Sequence, residues 1–169
     1  MRTDHVMETP ERMAAAYRTE MRRLLDAIDR LPAEQLDGPV IGEWTIADVL
    51  VHLAGWDRAV GASADDVLAG RPARLVEMRL GDINEDLVAA RRGEPLEAAR
   101  RDLAQAHQGL LDRLAAIPNG RWHEAPPGLR WSDGSEMTVA SVFAYRYRGL
   151  THYGGHAAEI EEWLRERGC

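Results

Sequence analysis

The chain has 169 residues, 45% hydrophobic and 29% charged, and 28 acids against 21 bases give a formal net charge of −7. That length suits a single domain, residues 1–169, with a real core. An acidic balance without a basic stripe argues against direct nucleic-acid binding, and no apolar run approaches the roughly 20 residues that span a bilayer. The opening Met1-Arg2-Thr3-Asp4-His5 lacks the apolar core of a signal peptide, which predicts a cytoplasmic protein.

Helices separated by proline and glycine make up most of the pattern. Thr9 reads as an N-cap with Pro10 at the first helical position, and Met13, Tyr17, Met21, Leu24, Ile28 and Leu31 form one apolar stripe ending at Pro32. After the loop Asp37-Gly38-Pro39, the capping box Thr45-Ile46-Ala47-Asp48 opens a second helix running to about Leu68. A shorter helix containing Asn84 is expected before the break Gly93-Glu94-Pro95, and a longer one after it, with Leu96, Leu103, Leu110, Leu111 and Leu114 on its buried side. Residues 118–134 hold Asn119-Gly120, Pro126-Pro127-Gly128 and Asp133-Gly134, a turn-rich connection with strand-like alternation only around Leu129 to Trp131. One final helix is predicted from about Met137 to Arg167. The sum is an all-α antiparallel four-helix bundle with an additional short helix.

Two absences limit the chemistry. All 21 basic residues are arginine, so a lysine nucleophile is excluded. The one cysteine, Cys169, is the last residue, a poor place for a fixed nucleophile or a thiolate-rich metal site. Catalysis has to come from other side chains, a bound metal or a small-molecule partner.

The histidines offer one such centre. His152 and His156 are four residues apart, so on a helix they share a face and can share one ion, or both be merely solvated. On a helical wheel, His52 lies about 90° from the centre of its helix's apolar stripe, His156 about 80° and His152 about 120° from theirs. All three sit at stripe borders, where a bundle can open a cleft.

The segment Gly42-Glu43-Trp44-Thr45-Ile46-Ala47-Asp48-Val49-Leu50-Val51-His52-Leu53, followed by Trp56-Asp57, resembles the second-helix signature of the DinB-like superfamily. Within it the ClbS/DfsB group of small four-helix bundles is the nearest likeness. The resemblance continues through Asp82-Ile83-Asn84 and Arg91-Arg92-Gly93-Glu94-Pro95-Leu96 to Thr151-His152-Tyr153-Gly154-Gly155-His156-Ala157-Ala158-Glu159-Ile160, nearly the whole chain in order. It implies a divalent metal, commonly zinc or nickel, on His52, His152 and His156. It also implies a homodimer, and relatives that use bacillithiol or mycothiol or that inactivate a reactive genotoxin.

Three neutral imidazoles leave the ion its full charge and an open position, as in catalytic sites. That position can take water, acidified to a pKa of about 7, or the sulfur of a low-molecular-weight thiol. Glu159, three residues after His156, is the candidate catalytic carboxylate, either orienting an imidazole or accepting a proton; Asp48 is the alternative, already used as a cap. Trp44 and Trp56 either wall a pocket or fill the core, and Asn84 and Tyr147 are polar candidates for the cleft. Gly154-Gly155 in the ligand-bearing helix cost about 2 kcal/mol against alanine, which points to close packing of another backbone, a dimer partner's among them, or to room for a ligand. Two functions remain open on this reading: a metal-dependent hydrolase or thiol transferase acting on a small electrophilic molecule, and a non-catalytic protein that sequesters a small-molecule toxin.

Overall fold

The structure, a computed structural model, describes residues 9–76 and 80–168, and of residues 80–83 the backbone alone. His5, Cys169 and the side chains of Asp82 and Ile83 lie outside the described residues. Helix α1 (Pro10–Asp29) starts where its cap predicts: Thr9 accepts a hydrogen bond from the Arg12 amide at 3.2 Å, and Pro10 gives up no amide the helix needs. Its stripe Met13, Tyr17, Met21, Leu24 and Ile28 is buried. A short hairpin follows, β1 (Pro39–Ile41) against β2 (Trp44–Thr45), where the sequence suggests only a loop. Three residues pairing with two are too short for alternation to register as a pattern.

Helix α2 (Ile46–Leu68) opens on the predicted capping box and is the central helix. It packs along α4 (Leu96–Ala116) and also meets the shorter α3 (Leu80–Ala89), while α1 packs along α7 (His152–Glu166) and touches α4. Being buried on several sides, α2 hides polar groups as well as its apolar stripe, and each aspartate has its partners, as buried carboxylates require. Asp48 accepts from the Thr45 amide and hydroxyl, and Asp66 accepts from Arg71 and Arg74, which ties down the chain beyond α2. Asp57 accepts from the Tyr153 hydroxyl, which also meets His107 Nδ1 at 2.9 Å. No helix of the described residues is long and apolar enough to cross a membrane.

The single final helix is a correction. Between Phe143 and Thr151 the chain leaves helical geometry, with only the four-residue α6 (Val139–Val142) before it and α7 after it; α5 (Asn119–Trp122) lies in the preceding connection. Arg148 and Gly149 both have positive φ, 54° and 76°, as a two-residue type I′ turn requires, and Tyr147 and Leu150 exchange both backbone hydrogen bonds across it. Thr151 then restarts the helix, its hydroxyl accepting from the Gly154 amide. Apolar residues at helical spacing run through the break, so periodicity concealed it; Gly149 followed by Thr151 is the stop-and-start signal. Around Leu129 to Trp131 the structure has one bridge, Arg130 with Glu136.

Burial, opposed by the Tyr153 hydrogen bond and by Arg58, raises the Asp57 carboxyl to about 7. A raised acid stays protonated in the fold after the unfolded chain has lost its proton, so stability falls as pH rises between the two values. From pH 5 to pH 8 this group should remove about 2–3 kcal/mol. Asp57→Asn, which has no such proton to lose, should unfold in urea with a correspondingly flatter pH dependence than the parent; equal slopes would contradict the assignment.

Candidate metal centre

His52 comes from the second turn of α2, and His152 and His156 from the first turns of α7. The three Nε2 atoms meet: His52 to His152 at 2.9 Å and His152 to His156 at 3.3 Å. All the candidate ligand atoms lie within 4.8 Å of one another, so the three could hold a metal ion. Burial first, then the charge of a protonated His156, pushes His52 down to about 3; burial and the same neighbours hold His152 well below the ordinary imidazole range. These rings are neutral at neutral pH, the form that binds metals.

The donor set fits an ion by its dimensions. Zinc–imidazole bonds of about 2.0–2.1 Å place neighbouring nitrogens about 2.9 Å apart at right angles and about 3.3 Å apart in a tetrahedron. The two observed separations match these edges. Nitrogen is also the donor type that zinc and nickel accept readily, and three donors leave open positions.

Orientation reaches the histidines in two ways. Glu159 Oε2 lies 2.8 Å from His156 Nδ1, which puts a proton there and leaves Nε2 as the lone pair. Its other oxygen accepts from the Tyr147 hydroxyl at 2.6 Å, and the Tyr147 ring packs on His156 with centroids 5.0 Å apart. Burial would raise the Glu159 carboxyl, yet hydrogen bonds from His156 and Tyr147 outweigh it and lower the group. Burial and the bond to Glu159 push the Tyr147 hydroxyl up to about 12. His52 is held by packing instead: Trp44 lies 5.0 Å away, Trp56 6.3 Å away, and its buried Nδ1 has no hydrogen-bond partner among the described residues.

A cavity of about 370 Å³ opens on the three histidines and is also lined by Trp44, Asn84 and Tyr147. The hairpin supplies Trp44, and the break before α7 supplies Tyr145 and Tyr147. Trp56 does not line this cavity; it donates to Asn84 Oδ1 at 2.9 Å from behind. Glu159 does not line it either, and with both oxygens engaged its geometry is that of the residue that orients His156. Asp48 remains a cap. Sequence reasoning passed over three rim residues, Glu43, Glu85 and Arg92, and over Tyr145. Arg92 is exposed at the rim, while its neighbour Arg91 is paired with Glu94 and Asp102. His107, on α4, is outside the cavity lining and meets the Tyr153 hydroxyl.

The glycine pair packs against side chains of its own chain. A Cβ on Gly155 would stand 2.3 Å from Tyr147 Cδ1, and one on Gly154 would stand 2.1 Å from Glu20 Oε2. Gly155 thus admits the tyrosine that holds Glu159.

Four long helices with this histidine set at one end make a DinB-like helical bundle. The chain belongs to the family of the mycothiol maleylpyruvate isomerase N-terminal domain, which matches residues 9–163. No curated protein matches it. Among solved structures it is similar to an uncharacterised protein from Escherichia coli UTI89, with 14% identity, a TM-score of 0.69 and 95% of each chain covered. A protein from Streptococcus pneumoniae is similar at 15% identity and TM-score 0.70, covering 93% of this chain and 91% of the other. Both likenesses concern the fold.

Glu159→Gln should weaken zinc affinity about 10- to 100-fold in competition with a chromophoric chelator, while Glu162→Gln, on the exposed partner of Arg148, should not. Gly155→Ala should lower affinity to a similar degree by displacing Tyr147. Gly154→Ala meets the movable tip of Glu20 and, at 3.0 Å, Leu150 Cβ, neither of which holds a histidine, and should have the smaller effect; the reverse order would refute the chain of contacts from Gly155 to His156.

Proposed function

We propose that the protein is a metal-dependent enzyme that joins a low-molecular-weight thiol to a small electrophile. The observation that carries this reading is the convergence of three imidazoles, His52 and His156 buried and His152 half-buried, on the floor of an open cavity. The family name supports the thiol, being that of a mycothiol maleylpyruvate isomerase. Composition is compatible with it: with no lysine and a single cysteine, the chain has few strong nucleophiles of its own. Zinc or nickel, held by His52, His152 and His156, would supply Lewis acidity at a position beside the cavity.

The chain's own groups prepare that position. Glu159 fixes the proton of His156 on Nδ1, and Tyr147 fixes Glu159. Trp44 and the Tyr147 ring narrow the access of water to the histidines. Asn84 spends its carbonyl oxygen on Trp56, which leaves its amide N–H groups to hold an oxygen of the electrophile. In the transfer the thiol loses its proton to solvent and its sulfur bonds to the electrophilic carbon. Either a leaving group departs with the displaced electron pair, or the sulfur adds to a conjugated C=C whose π pair moves onto the carbonyl oxygen as an enolate. After rotation about the resulting single bond the pair returns, the double bond re-forms and the thiolate is expelled, which is isomerisation.

A second reading is protection by stoichiometric capture of a toxin, as the likeness to the ClbS/DfsB group implies. One observation favours it: Glu159, the carboxylate bonded to His156, is held by two partners and does not line the cavity.

Turnover separates the two. The zinc- or nickel-loaded protein, given mycothiol or bacillithiol with maleylpyruvate or chlorodinitrobenzene, should form many equivalents of product. Chelation, His52→Ala or His156→Ala should each lower the rate at least about 100-fold, the scale of losing a Lewis acid. A tightly bound metal whose removal leaves turnover unchanged would overturn the enzyme reading, and a single equivalent of bound product would favour capture.

A further inference from the structure

Beside the histidine cavity lies a second space of about 530 Å³ that the proposed reaction does not use. Trp56, Leu75, Val76, Trp131, Val142 and Tyr145 wall it, with polar residues at one edge. Those polar groups are largely spoken for: Ser135 donates to Asp133 at 2.6 Å, and Ser141 accepts from Trp131 Nε1 at 2.8 Å. What faces the space is mainly hydrocarbon and aromatic ring, at a volume within the range of small-molecule sites.

Tyr145 lines both spaces. Its ring stacks on Trp56 with centroids 5.5 Å apart and planes 9° from parallel. Each of these two rings meets the His152 ring at 5.5 Å, nearly edge-on. One aromatic layer therefore separates the second space from a member of the histidine set. Trp56 is pinned through Asn84, whereas Tyr145 is 41% exposed and forms the rim where the two spaces adjoin.

We infer that the second space is a subsite for the aromatic or hydrocarbon arm of the molecule whose polar head meets the histidines. The substrate class is then an amphipathic electrophile, with an electron-poor head and a flat apolar arm lying past Tyr145. The position of the head rests on the function proposed above; the arm's site rests on the walls alone. A wholly polar substrate would leave this concave, mainly apolar space with no occupant, and a concave, mostly apolar space with a few polar groups is the usual form of a small-molecule site.

Two hydroxamates, which chelate zinc without reacting, test this on the zinc-loaded protein by titration calorimetry. Naphthyl-substituted hydroxamate should bind at least about tenfold tighter than acetohydroxamate, the scale of burying a few methylene equivalents of arm. In Trp131→Ala and in Val76→Glu that ratio should fall to near one; Val76 is 44% exposed, so its variant should fold even if the tryptophan variant does not. Equal affinities in the parent protein, or a ratio that both folded variants keep, would overturn the inference. If neither hydroxamate binds, the metal reading fails, and naphthamide, which lacks the chelating head, decides the arm. Tryptophan quenching by naphthamide that Val76→Glu abolishes would uphold the subsite, and no quenching would refute it.

Discussion

Three imidazole nitrogens in one buried spot face a shortage of protons. Glu159 holds the His156 proton on Nδ1, so His156 presents a bare lone pair to His152. His152 Nε2 carries at most one proton, yet it stands within hydrogen-bond distance of His52 on one side and close to His156 on the other. Protonating a ring to supply another donor is opposed by burial and by the neighbouring rings, which is why His52 and His152 are pushed down. An electron-pair acceptor with charge and no proton would resolve the conflict, and a divalent cation is of that kind. Much of the structure around the site serves to keep these three nitrogens facing one another.

The scaffold meets that demand with rigid elements and satisfied polar groups. His52 is on the central helix, whose other buried polar residues are each hydrogen-bonded, so α2 has little freedom to shift. Tyr153, directly after His152, reaches Asp57 on α2 and His107 on α4, which ties the first turn of α7 to two other helices. Hydrogen bonding orients His156, aromatic packing orients His52, and the distance between α2 and α7 sets how closely the two meet. Sites built on helices locked in this way are more finely placed than sites on loops.

Much of this was legible in the sequence, and for identifiable reasons. Caps are local chemistry, so Thr9, Thr45 and Asp48 mark helix starts directly, and stripes such as Met13 to Ile28 mark buried faces. The i, i+4 pair His152 and His156 is also local. Convergence with His52 is not: wheel angles place a residue at the edge of a stripe without saying which neighbour faces it. The same holds for Trp56, which stands behind Asn84 instead of on the cavity wall, and for Glu159, whose two partners come from different elements. The hairpin carrying Trp44 is too short to show a period, and the broken final helix keeps its apolar period through the break.

That break is what makes the site. In a continuous helix Tyr147 would lie nine residues before His156, about 13.5 Å away along the axis and about 180° round, on the opposite face. Its ring could then touch neither His156 nor Glu159. The type I′ turn at Arg148 and Gly149 folds the preceding strand of chain back alongside α7, turning axial distance into lateral contact and bringing the Tyr147 ring to 5.0 Å from His156. Gly155 completes the arrangement by leaving the space that ring occupies. Two glycines that weaken a helix by propensity alone are therefore, at 149 and 155, the residues that let a tyrosine from outside the helix hold the carboxylate that aims its histidine.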